Sequence, residues 1–295
     1  MPEPLRALIG RGPVICDGAM GTLLQASGRL APGGIPEELN LTAPDVVLSA
    51  HRSYIEAGSQ IIETNSFGGS RIRLAKSGLG ERAVEINLTA ARLARQAAGE
   101  QVLVAGSMGP LGEMVDPWGD IAFSEARAAF AEQAAALAEG GVDLFIIETM
   151  FDLEEMRAAI EGARSVAALP IVATMTFDQG GRTMMGIRPD TAANALLGMG
   201  ADIIGTNCGR GPAETEMAIR TMIAACPDAL FIAQPNAGVP RLENGVATFD
   251  ATPEDMARYA KVYIDLGVKI VGGCCGSTPA HIRAIAEAVR KQSQW

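Results

Sequence analysis

The chain has 295 residues, 48% of them hydrophobic, which suits one large α/β domain better than a small module or two domains with a linker. Its 24 basic and 34 acidic residues leave a net charge of −10, and no Lys/Arg cluster appears, so nucleic acid and anionic membrane are excluded as partners. No run approaches a membrane span, the N-terminus lacks the apolar core of a signal peptide, and five cysteines without secretory context point to a reducing cytoplasm.

In chain order, short apolar runs end abruptly in small polar residues. They are "VICDGAMG" from Val14, "QIIETNSFGG" from Gln60, "VLVAGSMGP" from Val102 and "DLFIIETMFD" from Asp143. Four more follow: "IVATMTFDQGG" from Ile171, "DIIGTNCGRG" from Asp202, "LFIAQPNAG" from Leu230 and "KIVGGCCGSTP" from Lys269. Their β-branched cores read as buried parallel strands.

Amphipathic stretches lie between them. "SEARAAFAEQAAALAEGG" starts at Ser124, sets Phe130, Ala134 and Leu137 on one stripe and stops at Gly140. "DLEEMRAAIEGAR" offers Asp152 and Glu155 as a reciprocal capping pair. "TPEDMARYAKVYIDLG" and "TPAHIRAIAEAV" each place Pro at the first helical position, where its missing N–H costs nothing. The longest irregular insertion is 28–45, "GRLAPGGIPEELNLTAPD".

Eight strand signals alternating with helical ones predict a single (β/α)8 TIM barrel over residues 1–295. An open doubly wound sheet competes, but "CDGAMGT" after the first strand is not the glycine loop that fold expects. In a barrel, the residues that follow each strand share one face. Asp17, Glu63, Asn65, Ser107, Glu148, Asn207, Cys208, Asn236, Cys274 and Cys275 are therefore expected as neighbours.

Cys208 follows the sixth run, and Cys274 and Cys275 follow the eighth. Three thiolates converging on the mouth suit Zn²⁺ with one position left open. Adjacent residues of a regular strand face opposite ways, so both sulfurs can reach one ion only if Gly272, Gly273 and Gly276 let the backbone turn irregularly. A reversible vicinal disulfide is the competing reading. Cys16 and Cys226 read as small buried hydrophobes, and the methionines after strands (Met20, Met108, Met150, Met175) as core filler.

Several motifs resemble the homocysteine S-methyltransferase family, and within it the homocysteine-binding module of cobalamin-dependent methionine synthases. They are "DGAMGTLLQ", "PEELNLTAPDVV", "GSQIIETNSFGGSRIRLAKSGL", "GSMGPLGEM", "GTNCGRGP", "QPNAGVP" and "GGCCGSTPAHI", and they run from about Val14 to about Val289. The resemblance implies a (β/α)8 barrel, zinc on Cys208, Cys274 and Cys275, and homocysteine sulfur as the fourth ligand. It implies Asp17, Gly18 and Glu148 at the amino-acid end of the substrate, with backbone beside Gly273 close by. A carboxylate suits an ammonium, and backbone N–H groups suit a carboxylate. For Asp17 a plain turn role before Gly18 competes. Glu63 reads as a structural hydrogen-bonding residue toward a neighbouring loop, and neither His51, placed on a helix, nor His281 is given a catalytic role.

The closest resemblance implies a methylcorrinoid donor, yet methionine synthases continue into folate and cobalamin domains where this chain stops, so methylcobalamin, a separate corrinoid or folate-binding protein, or another donor altogether is expected. Betaine-using relatives cage a quaternary ammonium with aromatics; this chain has Gly34, Gly68 and Thr149 there, leaving Trp118 or Phe151 to contribute. S-methylmethionine-using relatives differ in the second-strand motif. A different thiol acceptor and a non-catalytic zinc or redox partner protein are alternative functions. A metal hydrolase expects His/Asp ligands that the strand ends lack.

Overall fold

A computed structural model describes residues 3–31, 33–178, 180–239, 241–243 and 246–292. Eight short strands, each a β-branched or aliphatic run, form its central sheet. They are β1 (Val14–Ile15), β2 (Ile61–Glu63), β3 (Leu103–Met108), β4 (Leu144–Met150), β5 (Ile171–Met175), β6 (Ile203–Cys208) and β7 (Phe231–Pro235). A hairpin, β8 (Arg241–Glu243) with β9 (Val246–Thr248), intervenes before the eighth barrel strand, β10 (Ile270–Val271).

The sheet order is β1-β10-β7-β6-β5-β4-β3-β2, with parallel pairing throughout. A parallel bridge between Cys16 and Ile61, and the Gln60 N–H donated to Ile15 O at 2.7 Å, bring its ends together. This is the expected (β/α)8 TIM barrel, with all eight expected strands present. Proline opens several outer helices, as at Pro44–Ala57, Pro212–Ala225, Pro253–Asp265 and Pro279–Gln292.

Two apolar layers hold the barrel. The inner one packs Val14, Ile61, Ile146, Val172, Ile232 and Ile270 against Leu5 of the helix Glu3–Gly10, which precedes β1 and which the sequence pattern did not announce. The outer one lies between strands and helices and includes Phe130, Ala134 and Leu137, all fully buried as their stripe required. Their helix runs Phe123–Glu139, one residue earlier than Ser124 suggested, and Gly140 follows it.

Two expectations change. The insertion 28–45 is not irregular throughout: it holds a 3-10 turn at Pro36–Glu38 and short helical residues Leu39–Thr42, pinned where buried Asn40 donates to Asn65 O at 2.8 Å. Asp152 does cap its helix, accepting from the Glu154 and Glu155 N–H groups. The Glu155 carboxylate does not reciprocate; it accepts from Leu111 N at 2.7 Å in the preceding loop. The complete reciprocal box belongs to Thr252 and Asp255. Among the described residues, no helix is long and apolar enough to cross a membrane.

Candidate metal and substrate site

At the C-terminal end of the barrel, the inward positions change from aliphatic to polar. A cleft of about 480 Å³ opens there, lined by nine of the ten residues expected to be neighbours; Asn236 stands outside the lining.

The sulfurs of Cys208, Cys274 and Cys275 lie within 4.8 Å of one another. Strand β7 sits between their strands and ties them: Cys208 pairs with Pro235 in register, and Cys274 N donates to Pro235 O at 2.8 Å. Because β10 ends at Val271, both adjacent cysteines lie beyond the strand, Cys275 in a turn, and the alternation rule for strands does not bind them.

The glycines act differently from one another. Gly276 alone of the three has positive φ, +80°. Gly272 and Gly273 supply room instead: a Cβ at Gly272 would lie 2.8 Å from Asp17 O, and one at Gly273 would lie 2.5 Å from Ser277 Oγ. Cys208 itself sits at φ 62°, as does Thr149, a backbone region costly for side-chain-bearing residues and common at functional sites.

Of themselves the three thiols share charge unevenly. Hydrogen bonds from Cys274 and Cys275 pull Cys208 down to about 3. Hydrogen bonding to Cys208 pushes Cys274 upward, and pushes Cys275 up to about 12. A soft divalent cation would draw off the remaining thiol protons. A tetrahedral ion with ~2.3 Å metal–sulfur bonds spaces its sulfurs about 3.8 Å apart, inside the observed limit. The donor set fits such an ion.

Facing the thiols are three carboxyl groups. Asp17 and Glu148 are buried and Glu63 is half-buried. Glu148 accepts from Ser107 Oγ at 2.6 Å and from Asn207 Nδ2 at 2.9 Å. Asp17 Oδ2 accepts from Glu63 N at 3.0 Å, and Glu63 Oε1 accepts from Gln234 Nε2 at 2.6 Å across the barrel. Glu63 therefore points inward rather than toward a neighbouring loop, which corrects the sequence reading. Cys16 is more than a buried hydrophobe, since its thiol donates to Asp17 and Glu63. No Lys or Arg makes an ion pair with these carboxylates among the described residues.

Burial raises all three acids: Asp17 to about 8, Glu63 to about 7 with help from the Asp17 charge, and Glu148 well upward with help from Glu63. Such a cluster is short of positive charge.

Gly18 and Gly273 both line the cleft, over Ser277. This fully buried serine donates to Cys274 O at 2.7 Å and accepts from Ala19 N at 3.1 Å. Ser277, Gln234 and the bonding hub Asn207 were not singled out as site residues from sequence; Asn207 had appeared only in the list of neighbours. Only their place after or within inward-facing strand ends marked them. Met20 lines the cleft, whereas Met108, Met150 and Met175 are core. His51 is buried on a helix outside the cleft, and His281 bonds Thr278 and Ala251 O at a helix start.

Fold and site together define a class: a TIM barrel with a three-thiol mouth opposite an acidic, amino-acid-sized recess. The family model described as homocysteine S-methyltransferase matches residues 14–289, and the chain belongs to that family. It is 35% identical over 295 residues to a methionine synthase of Mycobacterium tuberculosis (strain ATCC 25618 / H37Rv), covering 94% of this chain and 24% of that protein. A methionine synthase of Mycobacterium leprae (strain TN) is 33% identical over 297 residues, with the same coverage of 94% and 24%. The chain thus spans about a quarter of the length of these relatives. The metallated form of the homocysteine methyltransferase MmuM from Escherichia coli superposes with a TM-score of 0.81 at 25% identity, covering 97% of this chain and 99% of that one.

Proposed function

We propose that residues 1–295 act as one homocysteine-binding, zinc-dependent methyltransferase barrel that moves a methyl group onto the homocysteine thiol to give methionine. The observation that carries this reading is the meeting of three thiols from the ends of two non-adjacent strands within 4.8 Å, opposite carboxylates that have no basic partner among the described residues. Membership of the family and the likeness to methionine synthases support it. Free thiols suit a reducing cytoplasm.

Cys208, Cys274 and Cys275 would hold the zinc ion, which supplies a thiol acidified from its ordinary pKa of roughly 8.5 and kept nucleophilic. The rest falls to the chain. Asp17 and Glu148 receive the substrate ammonium, whose charge offsets their unfavourable burial. Backbone beside Gly18 and Gly273, both of which line the cleft, receives the carboxylate. Held in this way, the substrate sulfur attacks the methyl carbon in line. The new S–C bond forms as the donor–methyl bond breaks, and the donor keeps that electron pair. The thiol proton has already left, so no general base is required.

The proposed donor is a methylcorrinoid, as methylcobalamin or on a corrinoid protein, with a corrinoid- or folate-binding protein as the partner. The cleft favours this over betaine. Gly34, Gly68 and Thr149 line it, while Trp118 and Phe151 are not among the lining residues. Phe67 does line it, but Arg73 already covers that ring at 5.0 Å.

The test is methyl transfer to homocysteine by anaerobically purified protein, with methylcobalamin, betaine and S-methylmethionine compared. Methylcobalamin should give methionine fastest. Faster turnover with either small donor contradicts the donor assignment. Zinc without turnover on any donor favours a sensor or partner role.

A further inference from the structure

Gln234 on β7 reaches across the barrel to β2, where its Nε2 donates to Glu63 Oε1 at 2.6 Å. The residue is 2% exposed and borders the cleft, yet its Oε1 has no hydrogen-bond partner among the described residues. A buried carbonyl is rarely left unpaired, and each exception asks for an explanation. With Glu63 ionised, turning the amide over would set the amide oxygen against its carboxylate. The free atom is therefore an acceptor, beside an acidic recess short of positive charge.

An amino-acid ammonium brings three N–H donors. In the homocysteine reading, on which this inference rests, Asp17 and Glu148 take two of them. We propose that Gln234 is a substrate-binding residue whose unpaired side-chain oxygen accepts the third ammonium N–H, with Glu63 holding the amide in place. The residue then sets specificity: it favours thiols that carry an α-ammonium over thiols of the same length without one. A site built to accept a hydrogen bond discriminates strongly against a ligand that cannot donate it.

The experiment measures calorimetric binding of L-homocysteine and of 4-mercaptobutanoate, its analogue without the amino group, to the zinc-loaded full chain. Wild-type protein should prefer homocysteine. Gln234→Met keeps the volume and removes the oxygen. Its homocysteine affinity should fall about tenfold or more, while its affinity for 4-mercaptobutanoate changes less than about twofold. In turnover the same variant should raise the KM for homocysteine and leave kcat within about threefold. Equal losses for both thiols, or undiminished homocysteine affinity in Gln234→Met, would overturn the assignment. Wild-type protein that binds neither thiol overturns the homocysteine reading itself.

Discussion

Asn207 joins the two sides of the mouth through one amide. Its Oδ1 accepts from Thr149 N and Thr174 Oγ1, both at 2.8 Å, and its Nδ2 meets Glu148, Thr149 Oγ1 and, at 3.8 Å, the Cys274 sulfur. These bonds fix the left-handed turn at Thr149 and orient the residue before Cys208. Asn207→Ala should cost about 1–3 kcal/mol in denaturant unfolding and weaken homocysteine binding, because several buried partners lose their bonds together. A second prediction concerns Asp17, whose pKa rises from 3.8 to about 8 on folding in the metal-free protein. The native state keeps a proton that the unfolded chain has released. Its contribution is fully present below about pH 4 and is lost as pH rises through about 8. Cys208, pulled down to about 3, acts in the opposite direction, so the informative quantity is a difference. The melting temperature of metal-free wild type minus that of Asp17→Asn should fall steadily from pH 4 to 8; a constant difference contradicts the shift. The cysteines, Asp17 and Glu148 were legible in sequence because each follows an apolar run. Gln234 and Glu63 were not legible as a pair, since they are 171 positions apart and meet only because the closed barrel turns both inward.

Helix starts were the most readable elements, because capping is local chemistry. Thr252 with Asp255 forms the full reciprocal box at the helix Pro253–Asp265, and Pro253 fills its first position. Thr252→Ala should therefore cost about 1 kcal/mol in unfolding free energy and leave metal content unchanged. A loss of metal in that variant would mean that the helix start governs the thiol turn. Asp152 shows the limit of such reading. The spacing to Glu155 fits a box, but the Glu155 carboxylate finds the Leu111 N–H in another loop, a contact no local pattern encodes. The insertion 28–45 hid its order for the same reason: its buried Asn40 bonds Asn65 and Ile86 carbonyls that lie far along the chain. The eight barrel strands were readable but the hairpin β8–β9 was not, and β1 and β10 are only two residues each.

For the whole molecule, closure is what turns separate motifs into a site. Cys208 leaves β6 and the adjacent pair leaves the turn after β10, with Pro235 of β7 bonded between them. An open sheet with the same strands would not place those sulfurs together with Asp17 and Glu148. The barrel also separates tasks. Aliphatic residues and the helix Glu3–Gly10 fill the inner layer, and the polar rim above them carries the chemistry. The central claim is that this rim holds one zinc ion on three thiolates. Zinc equivalents per chain, measured on anaerobically purified wild type and on Cys208→Ser, Cys274→Ser and Cys275→Ser, test it most directly. The account predicts one equivalent in the wild type and almost none in each variant. A zinc-free wild type, or a variant that keeps a full equivalent, contradicts it.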